Sequence, residues 1–369
     1  MNNRETLIKA LLKKAGWSQA VRSPLAGDAS TRRYERLKLG TQEAVLMDAP
    51  NQPDGPLLPE YNKPYSAIAH LAETTHPFVA VGAFLQAQGL SAPKLIAHDV
   101  DNGLLLLENL GDRLYGTAID LNEGFGTATL EDIYRAALDA LLVLHTAGTP
   151  GPLPLPDGST YDVPTYDEEA MAIETELLPE WYIPAKSGAS LSPQDRVAYS
   201  SLWQDLFPKA ACGTPVMVIR DYHSPNLLWL PEREGAARVG MVDYQDAQCG
   251  SRAYDVMSLL QDARKDVSPE RENEMLAYYC AQAKADPSFD EVEFRTSYAI
   301  LGAQRNAKIM GIFVRLWQRD GKPAYLAHLP RVSNYMERNL KHPILAPLKN
   351  WLDTHVPPDM RAVPLQAEE

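Results

Sequence analysis

The chain has 369 residues, of which 45% are hydrophobic and 22% charged, with a formal net charge of −13 and three cysteines. That length allows more than one core and makes two domains the natural expectation. The acidity argues against a nucleic-acid binder, which needs clustered Lys and Arg against phosphate. No apolar run approaches membrane-spanning length, and Cys212, Cys249 and Cys280 lack metal-ligand spacing, as expected in a reducing cytoplasm.

The opening segment MNNRETLIKALLKKAGW reads as a short amphipathic helix without the continuous apolar core of a secretion signal. Residues 20–49 alternate as strands do, with turn chemistry at Ala26-Gly27-Asp28-Ala29-Ser30 and at Leu39-Gly40. The stretch 48–65 is rich in Pro and polar residues and reads as an exposed loop. Residues 68–88 predict a helix ended by Gly89, and 94–98 and 103–108 two more strands, the second almost all leucine. The period turns helical over 130–146. A Pro-rich surface connection follows at 149–164, and helices dominate from about residue 165. The pattern predicts an α+β, protein-kinase-like fold of two lobes. A small β-rich lobe covers 1–110 with a hinge near 106–112, and a larger, mainly helical lobe covers 111–369.

Chemistry concentrates at 216–247. Residues 216–219 read as a strand, and 227–230 and 238–242 as a hairpin around Pro231-Glu232-Arg233-Glu234-Gly235. Asp221 and Asn226 fall in the loop before the hairpin, and Asp243 at its exit. A D-x4-N loop, a hairpin and then an Asp is the arrangement ATP-dependent phosphotransferases use. Asp221 is the expected catalytic base, within reach of an acceptor hydroxyl. Asn226 and Asp243 offer hard oxygens to Mg2+ on the ATP phosphates. His223 lies in the same loop beside the acceptor, Asp246 stands behind Asp243, and Asp255 either caps a helix or orients the loop.

On the nucleotide side, Ala29-Ser30-Thr31-Arg32-Arg33 sits where a phosphate-covering loop belongs. Its small residues let backbone N–H groups approach phosphate oxygens, and the arginines add charge. Met47 occupies the strand position of a phosphate-pairing Lys, so Arg32, Arg33 or Lys63 must replace that charge, or Mg2+ carries it alone. Glu108-Asn109-Leu110 leaves the small lobe where backbone groups would read an adenine edge.

These residues resemble the aminoglycoside phosphotransferase and choline kinase superfamily, whose loop reads H-x-D-x4-N with an Asp on the next hairpin. The resemblance covers roughly residues 20–265. It implies that Asp221 is the base, that Asn226 and Asp243 hold Mg2+, and that 138–145 packs as a helix beneath the catalytic loop. Ile219 replaces the expected His, which puts the loop's geometry in question. Within the superfamily the chain is similar to bacterial anomeric kinases of N-acetylmuramate and N-acetylglucosamine. The residues that carry this likeness are Gly27-Asp28-Ala29-Ser30, Met47-Asp48-Ala49-Pro50, Arg220-Asp221-Tyr222-His223-Ser224-Pro225-Asn226, Val242-Asp243-Tyr244-Gln245-Asp246, and a C-terminal run that includes Gln304-Arg305-Asn306-Ala307-Lys308. It implies transfer from ATP to the sugar C1 hydroxyl during peptidoglycan recycling, by a cytoplasmic monomer that needs neither nucleic acid nor membrane.

For the acceptor, Glu174, Glu176, Trp181 and Tyr182 form an acidic-aromatic stretch suited to sugar hydroxyls and a pyranose face. Arg305, Lys308 and Arg315 recur at helical spacing and could face an anionic acceptor. The acidic patch Asp167-Glu168-Glu169 with Glu174 and Glu176 keeps an aminoglycoside or choline kinase open. Ile219 and Met47 keep open a nucleotide-binding pseudokinase.

Overall fold

The computed structural model describes residues 3–25, 32–51, 55–211 and 213–366. Backbone contacts divide the chain into two compact units. The first comprises Met1–Ala67, Leu71–Val163 and Asn226–Ala247, and the second Ile68–His70, Pro164–Pro225 and Gln248–Glu369.

The first unit is built on a five-stranded antiparallel sheet. Its strands are β1 (Val21–Leu25), β2 (Arg33–Leu39), β3 (Gln42–Asp48), β4 (Leu95–Asp99) and β5 (Leu104–Glu108), in the order β1-β2-β3-β5-β4. The leucine run of β5 is buried on both faces, as its sequence predicts for a central strand. Side chains alternate across the sheet. Ala44, Leu46, Leu104 and Leu106 therefore share a core with Ile8, Leu11, Leu12 and Trp17 of and after helix α1 (Asn3–Lys14). Met47 points to the opposite face and is buried at 1% exposure.

The helix expected from residue 68 does not run through; α2 spans His76–Ala87, with Pro77 in its first turn. Pro lacks the N–H that a helix interior needs but is pre-set for a helix start, so it opens a new helix here. Phe78 of α2 stacks on Tyr244 with ring centroids 4.6 Å apart. A Cβ added at Gly82 would lie 2.6 Å from the Tyr244 hydroxyl, so only glycine admits that ring. This packing anchors the residue next to Asp243.

Helix α3 (Leu130–Thr146) matches its predicted limits, and its start is fixed by a capping box between Thr129 and Asp132. It lies against residues 235–241, at the hairpin Leu227–Trp229/Val239–Met241. The Pro-rich connection is more ordered than its composition suggests, since Leu153–Pro154 pairs with Thr160–Tyr161.

The second unit is mainly helical, with one short strand pair, Val216–Val218 with Gln248–Gly250. Its helices include α4 (Glu168–Thr175), α5 (Pro193–Ala210), α6 (Ala253–Leu260), α7 (Pro269–Ala283), α8 (Glu291–Gln318) and α9 (Leu329–Asn339). Helix α8 has 28 residues and packs against α4, α5, α6 and α9. One of its buried polar side chains, Asn306, joins a network around Gln261. Asn306 donates to Gln261 Oε1 at 3.1 Å, and Gln261 donates to Glu272 at 2.8 Å and to Asn339 at 2.9 Å. Buried polar groups paired in this way fix one helix register. The α+β, kinase-like expectation holds.

Candidate active site

The loop after Val216–Val218 is held from below by Asp255, in the first turn of α6. Its carboxylate accepts the backbone N–H of Ile219 at 2.6 Å and that of Arg220 at 2.9 Å. Arg220 itself adopts φ +70°, a left-handed conformation costly for a side-chain-bearing residue. Its buried guanidinium donates to the Ala69 carbonyl at 2.9 Å and to Glu174, and lies 5.1 Å from the Tyr166 ring centroid. Ile219 is buried in the apolar core, so the residue that replaces the expected His contributes packing and its N–H. Asp262 secures the far side of the loop, accepting the backbone N–H of Ser224 at 3.0 Å and its hydroxyl.

Asp221 is half-buried and opens into a cavity of about 160 Å³. His223, Tyr254, Asp262, Arg264, Arg305, Lys308 and the apolar Ile309, Ile312 and Phe313 line the rest of it. Burial alone would raise the Asp221 carboxyl. His223, Lys308, Arg220 and Arg305 outweigh it and hold the group below the usual carboxylate range. The group is therefore ionised at neutral pH, as a proton acceptor must be. Burial dominates at His223 and lowers its pKa in spite of Asp262 and Asp221.

The oxygen pair lies in the first unit. Asp243 leaves the hairpin at φ +61°. Its Oδ1 receives Arg32 Nη1 at 3.0 Å and Gln245 Nε2 at 2.9 Å, and Asn226 Nδ2 stands 3.4 Å from Oδ2. Val242 N–H also donates to the Asn226 carbonyl at 3.0 Å, which locks the two segments together. One amide and one carboxylate are hard donors suited to Mg2+. Among the described residues no cluster of three His, Cys, Asp or Glu is placed to hold a metal. Mg2+ commonly takes only one or two protein oxygens and completes its shell with phosphate and water, so the donor set fits that ion.

A model of the phosphotransferase enzyme family matches residues 21–293. The chain belongs to that family. It is 42% identical to the N-acetylmuramate/N-acetylglucosamine kinase of Caulobacter vibrioides, over 98% of this chain and 99% of that one. It is 31% identical to a protein of the same name from Pseudomonas aeruginosa, over 94% and 93% of the two. Among solved structures, the GDP complex of wild-type aminoglycoside 2'-phosphotransferase-IIIa aligns with a TM-score of 0.55 at 13% identity. That alignment covers 92% of this chain and 100% of that one, and it is a likeness of fold.

Other residues singled out in this phosphotransferase's sequence are distributed unevenly. Arg305 and Lys308 share the Asp221 cavity with Ile309 and Ile312, at i, i+3, i+4 and i+7 along one face of α8. Glu174 was expected to meet sugar hydroxyls; the structure assigns it otherwise. It is fully buried and accepts Lys308 at 2.6 Å, Tyr166 at 2.7 Å, Gln304 at 3.0 Å and Arg220. Burial opposes ionisation there, yet Lys308 and Arg220 hold the carboxyl at about 2. Glu174 thus positions the side chains of Lys308 and Arg220. Glu176 pairs with Arg196 at 2.8 Å. Trp181 and Tyr182 belong to a π-helical turn, Leu178–Tyr182, where Tyr182 is buried in the core. None of Glu176, Trp181 and Tyr182 lines the cavity.

On the nucleotide side, Ala29, Ser30 and Thr31 lie outside the described residues. Arg32 is the arginine ion-paired to Asp243, whereas Arg33 is exposed on β2. Glu108 pairs with Arg233 at 2.6 Å and donates its N–H to the Lys94 carbonyl at 2.8 Å. Asn109 donates to Glu43 at 2.8 Å, and Leu110 packs against Gly240. Sequence reasoning missed Asp262, Arg264 and Tyr254. They follow the catalytic loop by some forty residues, and no local spacing ties them to Asp221.

Proposed function

We propose that the protein transfers the γ-phosphoryl group of ATP to the anomeric hydroxyl of N-acetylmuramate or N-acetylglucosamine, giving the sugar 1-phosphate in peptidoglycan recycling. The observation that carries this reading is the ionised Asp221 in a cavity that also presents Arg264, Arg305 and Lys308. A cavity with that many cations suits a neutral or anionic acceptor. It is hostile to choline or an aminoglycoside, and three of the carboxylates that kept those acceptors open are engaged elsewhere. Asp167 caps α4 and pairs with His70, Glu174 is buried against Lys308, and Glu176 holds Arg196. The full-length likeness to kinases of these two sugars supports the same choice.

In this reading Asp221 accepts the C1 hydroxyl proton as the C1 oxygen forms its bond to the γ-phosphorus, and the bond to the β-phosphate oxygen breaks to leave ADP. The apolar wall of Ile309, Ile312 and Phe313 excludes water from that transfer. Asn226 and Asp243 would hold Mg2+, which supplies neutralisation of phosphate charge when bound. Arg32 takes the place of the strand lysine, and the backbone of Glu108-Asn109-Leu110 reads adenine. The functional division then falls at 106–112, with 1–110 as nucleotide lobe and 111–369 as catalytic lobe, in a cytoplasmic monomer.

Phosphorus NMR of the product from either sugar tests the reading. Phosphate should appear at C1, and the methyl glycoside, blocked at C1, should be inert. A 6-phosphate signal, or turnover of the methyl glycoside, would rule it out.

A further inference from the structure

Three cations meet Asp221 in the cavity, and they are not equivalent. Lys308 is spoken for by the buried carboxylate of Glu174 at 2.6 Å. Arg305 is buried at 5% exposure and donates to the Gln261 carbonyl at 3.5 Å, on the Asp262 side of the loop but without the backbone tie to Ser224 that Arg264 has. Arg264 is half-buried, lines the cavity, and has no carboxylate bonded to its guanidinium among the described residues.

The backbone beneath Arg264 is nonetheless fixed. Asp262 accepts the Arg264 N–H on Oδ1 at 2.8 Å, while its Oδ2 accepts the N–H and hydroxyl of Ser224. One carboxylate therefore ties Arg264 to the loop that carries Asp221, and both its oxygens are occupied in doing so. The positive field of Arg264 is felt at His223, whose pKa it helps to lower below the ordinary value. Arg264 and His223 line the same cavity. A guanidinium is a planar fork of donors matched to a carboxylate.

We infer that Arg264 is the specificity-determining residue for the acceptor: it receives a carboxylate carried by the sugar, and so distinguishes an acidic amino sugar from its neutral counterpart. The inference rests on the amino-sugar kinase reading above and adds to it the residue that reads the acid. Of the two sugars in that reading, the acidic one is N-acetylmuramate, which carries a lactyl ether. Asp221 serves the reacting hydroxyl of both sugars, whereas Arg264 serves only the acid.

The test compares kcat/KM for N-acetylmuramate, its neutral carboxamide and N-acetylglucosamine, in the wild type and in Arg264→Met. Removing one charge-assisted contact should lower kcat/KM for the acid by about ten- to a hundredfold. The carboxamide and N-acetylglucosamine should change by no more than about threefold. Arg264→Lys should restore part of the acid's advantage, because a point charge replaces the fork. An equal loss on all three sugars, or an unchanged acid-to-amide ratio, overturns the inference. If Arg264→Met does not fold, the wild type alone decides, since it must prefer the free acid to the carboxamide and lose that preference as ionic strength rises. Failure of the parent reading looks different, because the wild type then phosphorylates none of the three sugars at C1.

Discussion

The Asp255 carboxylate accepts the Ile219 N–H at 2.6 Å and, through its other oxygen, the Arg220 N–H at 2.9 Å. This relationship answers the question raised by Ile219. The loop that carries Asp221 is fastened through its backbone, so the side chain at 219 is free to fill the apolar core. Burial raises the Asp255 carboxyl to about 7, against the two backbone donors that favour the charged form. The sign follows directly. A carboxyl whose folded pKa lies above its unfolded value near 3.9 stabilises the fold fully below about pH 4, and that contribution is lost as pH rises through about 7.

Asp255→Asn should therefore lower kcat, because the Asn NH2 cannot accept one of the two N–H groups. It should also remove this pH dependence. The gap in Tm between wild type and variant should shrink as pH is raised from 4 to 8. A gap that stays constant over that range would show that Asp255 does not carry the proton.

Asp221→Asn should abolish transfer while leaving ATP affinity intact, since the base acts on the acceptor. The expected loss in kcat is at least on the order of 10² to 10⁴. Equilibrium binding of ATP, measured alongside turnover, separates this from a general loss of structure, and a folded variant with near wild-type turnover would end the assignment.

Much of this was legible from the residues. The β5 leucine run, the helical period of 130–146 and the D-x4-N loop with its hairpin are local patterns, and local patterns survive folding because turn chemistry and burial period act over a few residues. The acceptor site was not local. Glu174 looks like a surface carboxylate in its acidic helix, and only the arrival of Lys308 and Arg220 from distant segments makes it a buried counter-ion. Arg264 carries no signal of its own, because its role depends on Asp262 bonding back to Ser224. The helix that starts at His76 rather than 68 is a case where Pro77 was the legible sign and the apolar periodicity overrode it.

The oxygen pair should be unequal. Asp243→Ala removes a charge along with a ligand oxygen, while Asn226→Ala removes a neutral oxygen only. Titrating Mg2+ against activity should show a larger rise in the Mg2+ requirement for Asp243→Ala. Arg32→Met, which takes the cation off Asp243 Oδ1, should instead raise the KM for ATP by about tenfold, with the Mg2+ requirement little changed. An unchanged Mg2+ requirement in Asp243→Ala would remove it from the metal site.

Helix α8 carries the Arg305–Lys308 face, and its position depends on a close approach at Gly311. A Cβ there would lie 2.2 Å from the Leu177 carbonyl oxygen and 2.3 Å from its carbon. These are backbone atoms at the entrance to the π-helical turn Leu178–Tyr182, so they cannot swing aside as a side-chain tip would. Gly311→Ala gains about 1 kcal/mol of helix propensity. Forcing a methyl group into packed structure costs about 1–3 kcal/mol, and the upper end applies where backbone must move. Strain should win. The variant should melt several degrees below wild type, and its kcat/KM for the sugar should fall more than its affinity for ATP, since the displaced helix carries acceptor-side residues. A melting temperature at or above wild type would mean that propensity outweighs the contact, and that α8 is not seated on Leu177.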